Sequence, residues 1–315
     1  MTLEKSIRKI IDTTNAEFGV SIQHIESGDT ININAEQLFP MCSVLKIPVM
    51  CEAFRQFYER GTSLDERWEL TLAEKNLPSG VLVFLQDGLQ ITIRDLLTLM
   101  IIISDNTATD MIINRIGLSN IEPFMAKLGL PNIHLCMTIR DIFTDIYGQD
   151  GADPTQVLTN LTQPQAQFAT KRDGRAYQST PKNDTSSPED MTKLLGMIFR
   201  GEVINRAACD EMLHILLQQQ INDRLPCLLP DGVPFAHKTG TLSGLRNDAG
   251  ILYANDDAHI ALTVYTRWDA DKVAENPAAE IQRTTEIDQA FGQIGLTVYN
   301  HFNSKSTIFM PVIAN

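Results

Sequence analysis

In the first third of the chain, apolar residues first recur at helical spacing and then alternate with polar ones. Residues 1–18 place apolar side chains at helical spacing among charged ones, which predicts an amphipathic helix. Apolar and polar residues alternate in 19–25 and in 30–34, on either side of the turn Ser27-Gly28-Asp29. This pattern predicts a β-hairpin. The spacing becomes helical again from Ser43, which we expect to open a buried helix.

The middle of the chain is mostly helical in pattern. Thr92 is expected to cap an apolar helix that reaches the polar triplet Ser104-Asp105-Asn106, and a second helix is expected to follow this triplet. Pro188 suits the first turn of a later helix, because the backbone N–H that proline lacks has no helical partner there. Residues 206–219 predict another helix.

The stretch 149–182 differs in composition from the helices around it. It is rich in Gln, Thr, Asp, Gly and Pro and poor in large apolar residues, although short helices fit the pattern near 155–160 and 164–170. We interpret it as an excursion or lid over a finished core and not as a separate domain.

The last third of the chain alternates between apolar and polar positions. Residues 237–241, 248–253 and 259–265 predict three strands, and the turn Asn255-Asp256-Asp257 joins the last two in a hairpin. Apolar spacing within 278–303 predicts a final amphipathic helix.

The composition is that of a globular protein with a large core. The chain has 315 residues, of which 43% are hydrophobic and 21% charged, so it can form one domain with two lobes or two domains. Its formal net charge of -13 argues against non-specific binding to nucleic acid and against docking on anionic lipid, since both need a basic surface.

No apolar run approaches the roughly 20 residues that cross a bilayer, so we expect no membrane insertion. The amino terminus also lacks the pattern of a secretory signal. The chain as written is therefore expected to be cytoplasmic, or periplasmic or secreted if a leader was removed.

The cysteines are scattered and odd in number: Cys42, Cys51, Cys136, Cys209 and Cys227. Their spacing predicts neither a disulfide framework nor a zinc site, so we expect reduced thiols, no metal and no cofactor. Cys42 adjoins Ser43 and competes with it as a nucleophile by position, but the sequence places no base for the thiol.

The candidate chemistry begins with Ser43-Val44-Leu45-Lys46. On a helix, Ser43 and Lys46 lie one turn apart on the same face, where a neutral lysine amine can take the proton of the serine hydroxyl. This spacing is common by chance, and taken alone it is weak support for catalysis.

Two later motifs strengthen this interpretation. The triplet Ser104-Asp105-Asn106 lies between two predicted helices, and Lys238-Thr239-Gly240 lies in a predicted strand. In this order and context, the three motifs are the signature of class A β-lactamases and penicillin-binding proteins. From end to end, the chain resembles this family of serine hydrolases.

The resemblance implies an α/β fold of the β-lactamase/transpeptidase type. In that fold an antiparallel sheet is flanked by the terminal helices, and an all-α lobe is inserted into it. The expected division is a discontinuous α/β lobe of residues 1–41 and 220–315, and an all-α lobe of residues 42–219 that includes the excursion at about 149–182. The site would lie between the lobes.

The resemblance and the chemistry of the side chains together suggest a role for each motif residue. Ser43 attacks a carbonyl, Lys46 is the base, and Ser104 relays a proton to the leaving nitrogen. Asn106 suits a substrate amide. By the resemblance, the backbone N–H groups of Ser43 and Thr241 form the oxyanion hole.

A positively charged side of the site is expected to bind a substrate carboxylate. Lys238 and Thr239 suit this role. Arg246 is either a second contact for the carboxylate or a surface arginine at the start of a strand, and the sequence does not decide between the two. We expect structural roles for Asp105 and His237.

One departure from the family is large. Class A β-lactamases use a glutamate to activate the water that releases the acyl group, but residues 123–188 contain no glutamate. Aligning forward places Ile139 at this position, and counting back places Lys171 there. The nearest carboxylates are those of Asp141 and Asp173, and we interpret each as a loop or salt-bridge residue.

The sequence therefore predicts a serine hydrolase that is acylated on Ser43 by a small molecule with an amide, ester or β-lactam carbonyl. The alternative is a penicillin-binding, DD-peptidase-like or esterase protein that releases β-lactams slowly because the glutamate is missing. A binding protein that kept the pocket without catalysis is the least favoured interpretation, since the motif residues are all present.

Overall fold

The computed structural model describes residues 1–77, 79–148, 172–269 and 277–303. The helices and strands follow one another in this order: α1 (Leu3–Ile11), β1 (Glu17–His24), β2 (Thr30–Ile33), β3 (Phe39–Pro40), α2 (Lys46–Arg60), β4 (Arg67–Glu69), β5 (Gln90–Thr92), α3 (Ile93–Ile102), α4 (Asn106–Ile116), α5 (Ile121–Lys127), β6 (Ile133–His134), α6 (Ile139–Tyr147), β7 (Thr185–Ser186), α7 (Pro188–Arg200), α8 (Arg206–Leu216), β8 (Phe235–Leu242), β9 (Leu245–Asn255), β10 (Ala258–Arg267) and α9 (Pro277–Asn303).

A five-stranded antiparallel sheet joins the two ends of the chain. Its strand order is β2-β1-β10-β9-β8, so the predicted hairpin near the amino terminus pairs with the predicted hairpin near the carboxyl terminus. Two small sheets, β3-β7-β6 and β4-β5, lie outside it. The α/β class with an antiparallel sheet is confirmed.

The sheet separates two hydrophobic cores, because the side chains of β10 point alternately to its two faces. Ile260, Leu262 and Val264 belong to the core on the face covered by α1 and α9. Ala261 and Tyr265, which point the other way, belong to the larger core that contains the other helices. Burial of these two apolar faces holds the terminal helices and the helical region on opposite sides of the sheet.

Helix α2 runs through the larger core and contacts α3, α4, α5 and α8. Its buried residues lie on every face of the helix, as expected of a helix surrounded by others. It ends at Gly61, whose left-handed backbone (φ 66°) closes the helix at little steric cost. On the opposite side of this core, α7 packs against β1, β9 and β10.

The predicted helix starts are confirmed at two positions. Thr92 Oγ1 accepts the backbone N–H of Asp95 at 3.0 Å and caps α3. Ser187 caps α7 in the same way, and Pro188 occupies its first position. The first helix is shorter than predicted and ends at Ile11, because Phe18 belongs to β1 and packs into the core beneath the sheet.

The excursion at 149–182 lies partly outside the described residues. Its predicted short helices at 155–160 and 164–170 fall in the stretch that is not described, and residues 175–177 form a single 3₁₀ turn. All five cysteines are free. Within the described ranges, no helix is long and apolar enough to cross a membrane.

Candidate active site

Ser43 was predicted to open a helix. It lies instead in a 3₁₀ turn (residues 42–45) that precedes α2. Two features explain the difference. Cys42 has a positive φ of 50°, which no α-helical residue adopts. Pro48 suits the first turn of a helix that begins at Lys46. The backbone N–H of Lys46 donates to Ser43 O, so the serine is still one turn before the lysine.

The turn that carries Ser43 is fixed to the sheet. Asn247 on β9 donates from Nδ2 to Pro40 O at 2.8 Å and to Met41 O at 3.0 Å. On the neighbouring strand β8, a Cβ at Gly240 would lie 2.5 Å from Met41 O. Only glycine allows β8 to pass this close to the turn, which accounts for the glycine of the Lys238-Thr239-Gly240 motif.

Lys46 is fully buried, and its amine joins the first two motifs. Lys46 Nζ donates to Ser104 Oγ at 3.0 Å, to Ser104 O at 2.7 Å and to Asn106 Oδ1 at 2.8 Å. Burial lowers the pKa of Lys46 to about 7, although the carboxylates of Asp105 and Asp110 oppose the shift. A substantial fraction of the Lys46 amine is therefore unprotonated at neutral pH, and only the unprotonated amine can act as a general base.

The polar triplet is held in an unusual backbone conformation. Ser104 has a positive φ of 58°, in the left-handed region. Asp105 fixes the next position, because its carboxylate caps α4 at Ala108 N (2.9 Å) and also accepts the backbone N–H groups of residues 81–82 at 2.6 and 2.9 Å. Asp105 thus has the contacts expected of a structural residue.

Lys238 is fully buried on β8, and its Nζ donates to Thr239 O at 2.8 Å. Burial, together with repulsion from Lys46 and Arg224, lowers the pKa of Lys238 well below its usual range. The neighbouring His237 is also buried, with Nδ1 2.8 Å from Asp248 Oδ1.

The predicted site residues come together around one cavity of about 440 Å³. Lys46 and Lys238 are buried beside it, and the other predicted residues contribute to its lining: Ser43, Ser104, Asn106, Thr239, Thr241 and Arg246. We call these eight residues the polar wall.

Arg246 lines the cavity and is partly buried. Its Nη1 donates to Leu245 O at 3.1 Å, its guanidinium lies 5.9 Å from the Trp268 ring, and its Nε is 3.6 Å from Asp288 Oδ1. Arg246 thus lies both at the cavity and at the start of β9, and its contact with a substrate carboxylate stays a prediction.

Arg224 is a second arginine at the site, and it was not predicted from the sequence. It is 2% exposed, and its Nη1 donates to Gly240 O at 2.8 Å and to Asn247 O at 2.7 Å. Its Nη2 contacts Thr241 Oγ1. Arg224 lies in a loop between α8 and β8, so no periodicity or motif marks it in the sequence.

Another part of the cavity is apolar. Ile139, Ile142, Phe143 and Tyr147 all line it from α6, and we call them the apolar wall. Ile139, the position reached by aligning forward, is 4% exposed and belongs to this wall.

The nearby carboxylates predicted to be loop or salt-bridge residues do not line the cavity. Asp141 accepts the backbone N–H of Thr138 at 2.9 Å and caps α6, and Asp173 is exposed. Among the described residues, the acidic side chain that lines the cavity is Glu280, which accepts the Ser243 hydroxyl at 3.0 Å. Lys171 lies outside the described residues. The described residues also contain no cluster of His, Cys, Asp and Glu that could hold a metal ion.

Comparisons with known proteins agree with this geometry. A family model described as the β-lactamase enzyme family matches residues 2–302. The β-lactamase VEB-1 of Pseudomonas aeruginosa is 23% identical, over 96% of this chain and 91% of its own length.

Solved structures show the same fold. The β-lactamase of Sphaerobacter thermophilus has a TM-score of 0.73 at 24% identity, covering 95% of this chain and 96% of its own. PBP-A has a TM-score of 0.74 at 23% identity and covers 96% of both chains. The resemblance inferred from the three motifs is thus confirmed, and the chain belongs to the β-lactamase enzyme family as a serine hydrolase of the β-lactamase type.

Proposed function

We propose that the enzyme is acylated on Ser43 by the amide, ester or β-lactam carbonyl of a small molecule, and that it releases the acyl group slowly. The observation that carries this proposal is the buried Lys46 amine, held at Ser104 and Asn106 beside the serine turn, with a pKa of about 7. A base with a pKa near neutrality can both take and return a proton.

The proposed acylation follows from this arrangement. Neutral Lys46 takes the proton of the Ser43 hydroxyl, and the serine oxygen forms a bond to the substrate carbonyl carbon. The carbonyl π electrons move onto the oxygen, which the backbone N–H groups of Ser43 and Thr241 stabilise. When the tetrahedral intermediate collapses, the bond to the leaving nitrogen or oxygen breaks. Ser104 Oγ, 3.0 Å from Lys46 Nζ, passes the proton to the leaving atom.

Substrate binding is assigned to the rest of the polar wall. Asn106 is proposed to bind a substrate amide. Thr239, Thr241 and Arg246 line the cavity next to the buried Lys238, so a substrate carboxylate is the group this region suits best. A leucine-to-glutamate variant of PBP-A forms an acyl-enzyme complex with penicillin G, which supports a β-lactam as one class of acylating substrate for this chain.

Slow release is supported by the apolar wall. Hydrolysis of an acyl-enzyme needs a base that takes a proton from water, and α6 offers Ile139 where the family glutamate is expected. A water molecule beside the apolar wall would find few hydrogen-bond partners there.

Two lobes are part of the same proposal: residues 1–41 with 220–315, and residues 42–219. Residues of both ranges line the cavity, which supports a site between the lobes. Native-state hydrogen exchange tests the division. Two groups of amides with different protection are expected, whereas one common protection level across both ranges would contradict it.

Intact-protein mass spectrometry after timed exposure to penicillin G tests the acylation. We expect an adduct that forms on the native chain and persists, and no adduct on Ser43→Ala. Cys42→Ala is the matched control and should keep the adduct, because burial raises the pKa of the Cys42 thiol to about 12 and keeps it protonated. An adduct on Ser43→Ala would refute the assignment, and rapid turnover of a chromogenic cephalosporin would refute slow release.

A further inference from the structure

Helix α6 presents a continuous apolar face to the cavity. Ile139, Ile142, Phe143 and Tyr147 stand at positions i, i+3, i+4 and i+8, which places them on one side of a helix. The rings of Phe143 and Tyr147 stack, with centroids 5.9 Å apart and planes 16° apart. The apolar wall is therefore a surface with two aliphatic and two aromatic side chains.

The amino-terminal end of α6 is fixed to the helix that carries Asn106. Asp110, one turn after Asn106 on α4, accepts the backbone N–H groups of Ile139 at 2.8 Å and Arg140 at 3.0 Å. The Arg140 guanidinium donates to Lys75 O at 2.8 Å. These contacts set the first turn of the apolar wall beside the polar wall.

The carboxyl-terminal part of α6 is fixed as well. Asp145 Oδ2 accepts the backbone N–H of Ala176 at 2.8 Å. A Cβ at Gly174 would lie 2.5 Å from Asp145 Oδ2, so the chain passes close to α6 here. With both ends held, the apolar wall is formed before a substrate arrives, which lowers the entropic cost of binding one.

We propose that the apolar wall binds the acyl part of the substrate, and that the enzyme prefers acyl groups that are aromatic or branched and uncharged. This inference rests on the proposed acylation of Ser43. A carboxylate on the leaving-group side would contact Thr239, Thr241 and Arg246, while the acyl side packs against α6. The substrate class is thus an amphiphilic acyl compound, anionic at one end and apolar at the other.

The same wall would also protect the product of acylation. An apolar acyl group packed on Ile139 and Phe143 removes water from the side of the ester that α6 covers. Selectivity for apolar acyl groups and slow release would then have one physical origin, the burial of apolar surface.

Three penicillins that share one nucleus test the proposal. They are 6-aminopenicillanic acid acylated with an acetyl, a phenylacetyl or a glutaryl group, and the readout is the second-order rate constant of adduct formation. We expect the phenylacetyl compound to react about tenfold faster than the acetyl compound, and the glutaryl compound to react most slowly. In Phe143→Ala the phenylacetyl preference should fall about tenfold, with the acetyl rate little changed.

Two further variants separate binding from folding. Phe84→Ala removes an exposed phenylalanine that does not line the cavity and should keep the native preference. Phe143→Arg, at a partly exposed position, should raise the glutaryl rate relative to the phenylacetyl rate.

The outcomes distinguish this inference from the proposed function. No adduct with any of the three penicillins would overturn acylation of Ser43 by a β-lactam. Adducts that form on the native enzyme at equal rates would overturn the acyl preference alone. An equal loss of all three rates in Phe143→Ala would show a purely structural role for Phe143 and would also overturn it.

Discussion

The polar wall and the apolar wall line the same cavity but are built on opposite principles. The polar wall buries two lysine amines, those of Lys46 and Lys238, and each amine is hydrogen-bonded to the chain. The apolar wall offers four hydrocarbon or aromatic side chains from one helix. One wall has the groups that an acylation needs, and the other lacks the carboxylate that a hydrolysis of the family type needs.

In the proposed reaction, acylation and hydrolysis therefore depend on separate parts of the fold. Buried charges are tolerated only where partners compensate for the lost water, which the polar wall achieves with backbone and side-chain oxygens. Ile139 needs no such compensation, and the proposed acylation makes no use of its side chain. A chain of this kind can keep the first half of the reaction and lose speed in the second.

The largest expected effect comes from breaking the polar wall at Lys46. In Lys46→Met the base is replaced by an uncharged side chain of similar length, and the rate of acylation by penicillin G should fall by about 10²–10⁴-fold. Lys193→Met, on the exposed surface of α7 with Glu189 as its partner, is the matched control and should react at the native rate.

The pH profile of the native enzyme sharpens this prediction. Lys46 acts as a base only when neutral, and its pKa is about 7. Acylation should therefore slow about tenfold for each unit of pH below 7 and level off above it, until other groups titrate. A rate that stays flat from about pH 5 to pH 9, or that falls as the pH rises through 7, would show that Lys46 is not the base.

Most of the polar wall could be predicted from the sequence, because six of its eight residues lie in short motifs. Ser43 and Lys46 are neighbours in the chain, and Ser104 with Asn106 and Lys238 with Thr239 are equally local. Local patterns also predicted the hairpins and the starts of α3 and α7, since alternation and capping act over a few residues.

The features that escaped prediction depend on contacts between distant parts of the chain. Arg224 reaches Gly240 and Asn247 from an irregular loop. Asp110 caps α6 from a position 29 residues earlier. Forward alignment placed Ile139 at the glutamate position and counting back placed Lys171 there, but neither revealed that Phe143 also lines the cavity. No periodicity encodes such pairings, because they arise only when the helices pack.

An intermediate effect is expected from a carboxylate placed in the apolar wall. Ile139→Glu introduces a base beside the proposed acyl-enzyme, at the position reached by aligning the family forward, and should speed release of the benzylpenicilloyl group about 10²-fold. The decay of the adduct mass measures this rate directly. Ile139→Gln has the same shape without the base and should release the adduct at the native rate. Equal acceleration in both variants would mean that water entry, and not a base, limits release.

The smallest expected effect concerns the carboxylate contact of the polar wall. Arg246 lines the cavity, whereas Arg224 is 2% exposed and does not contribute to the lining, so Arg246 is the guanidinium that a substrate carboxylate would reach. In Arg246→Ala, acylation by penicillin G should slow about tenfold, the loss expected for one charge-assisted hydrogen bond. The measurement is the dependence of the adduct-formation rate on penicillin concentration.

An ester substrate without a carboxylate separates binding from structural damage. Its acylation rate should be the same in Arg246→Ala as in the native enzyme, because the missing guanidinium would have contacted nothing on this substrate. Arg283→Ala, on α9 with Glu286 as its partner and outside the cavity lining, should leave both substrates unaffected. Equal losses with the ester and with penicillin G would instead mean that Arg246 supports β9 through its contacts to Leu245 and Asp288, and the carboxylate would have to bind elsewhere on the polar wall.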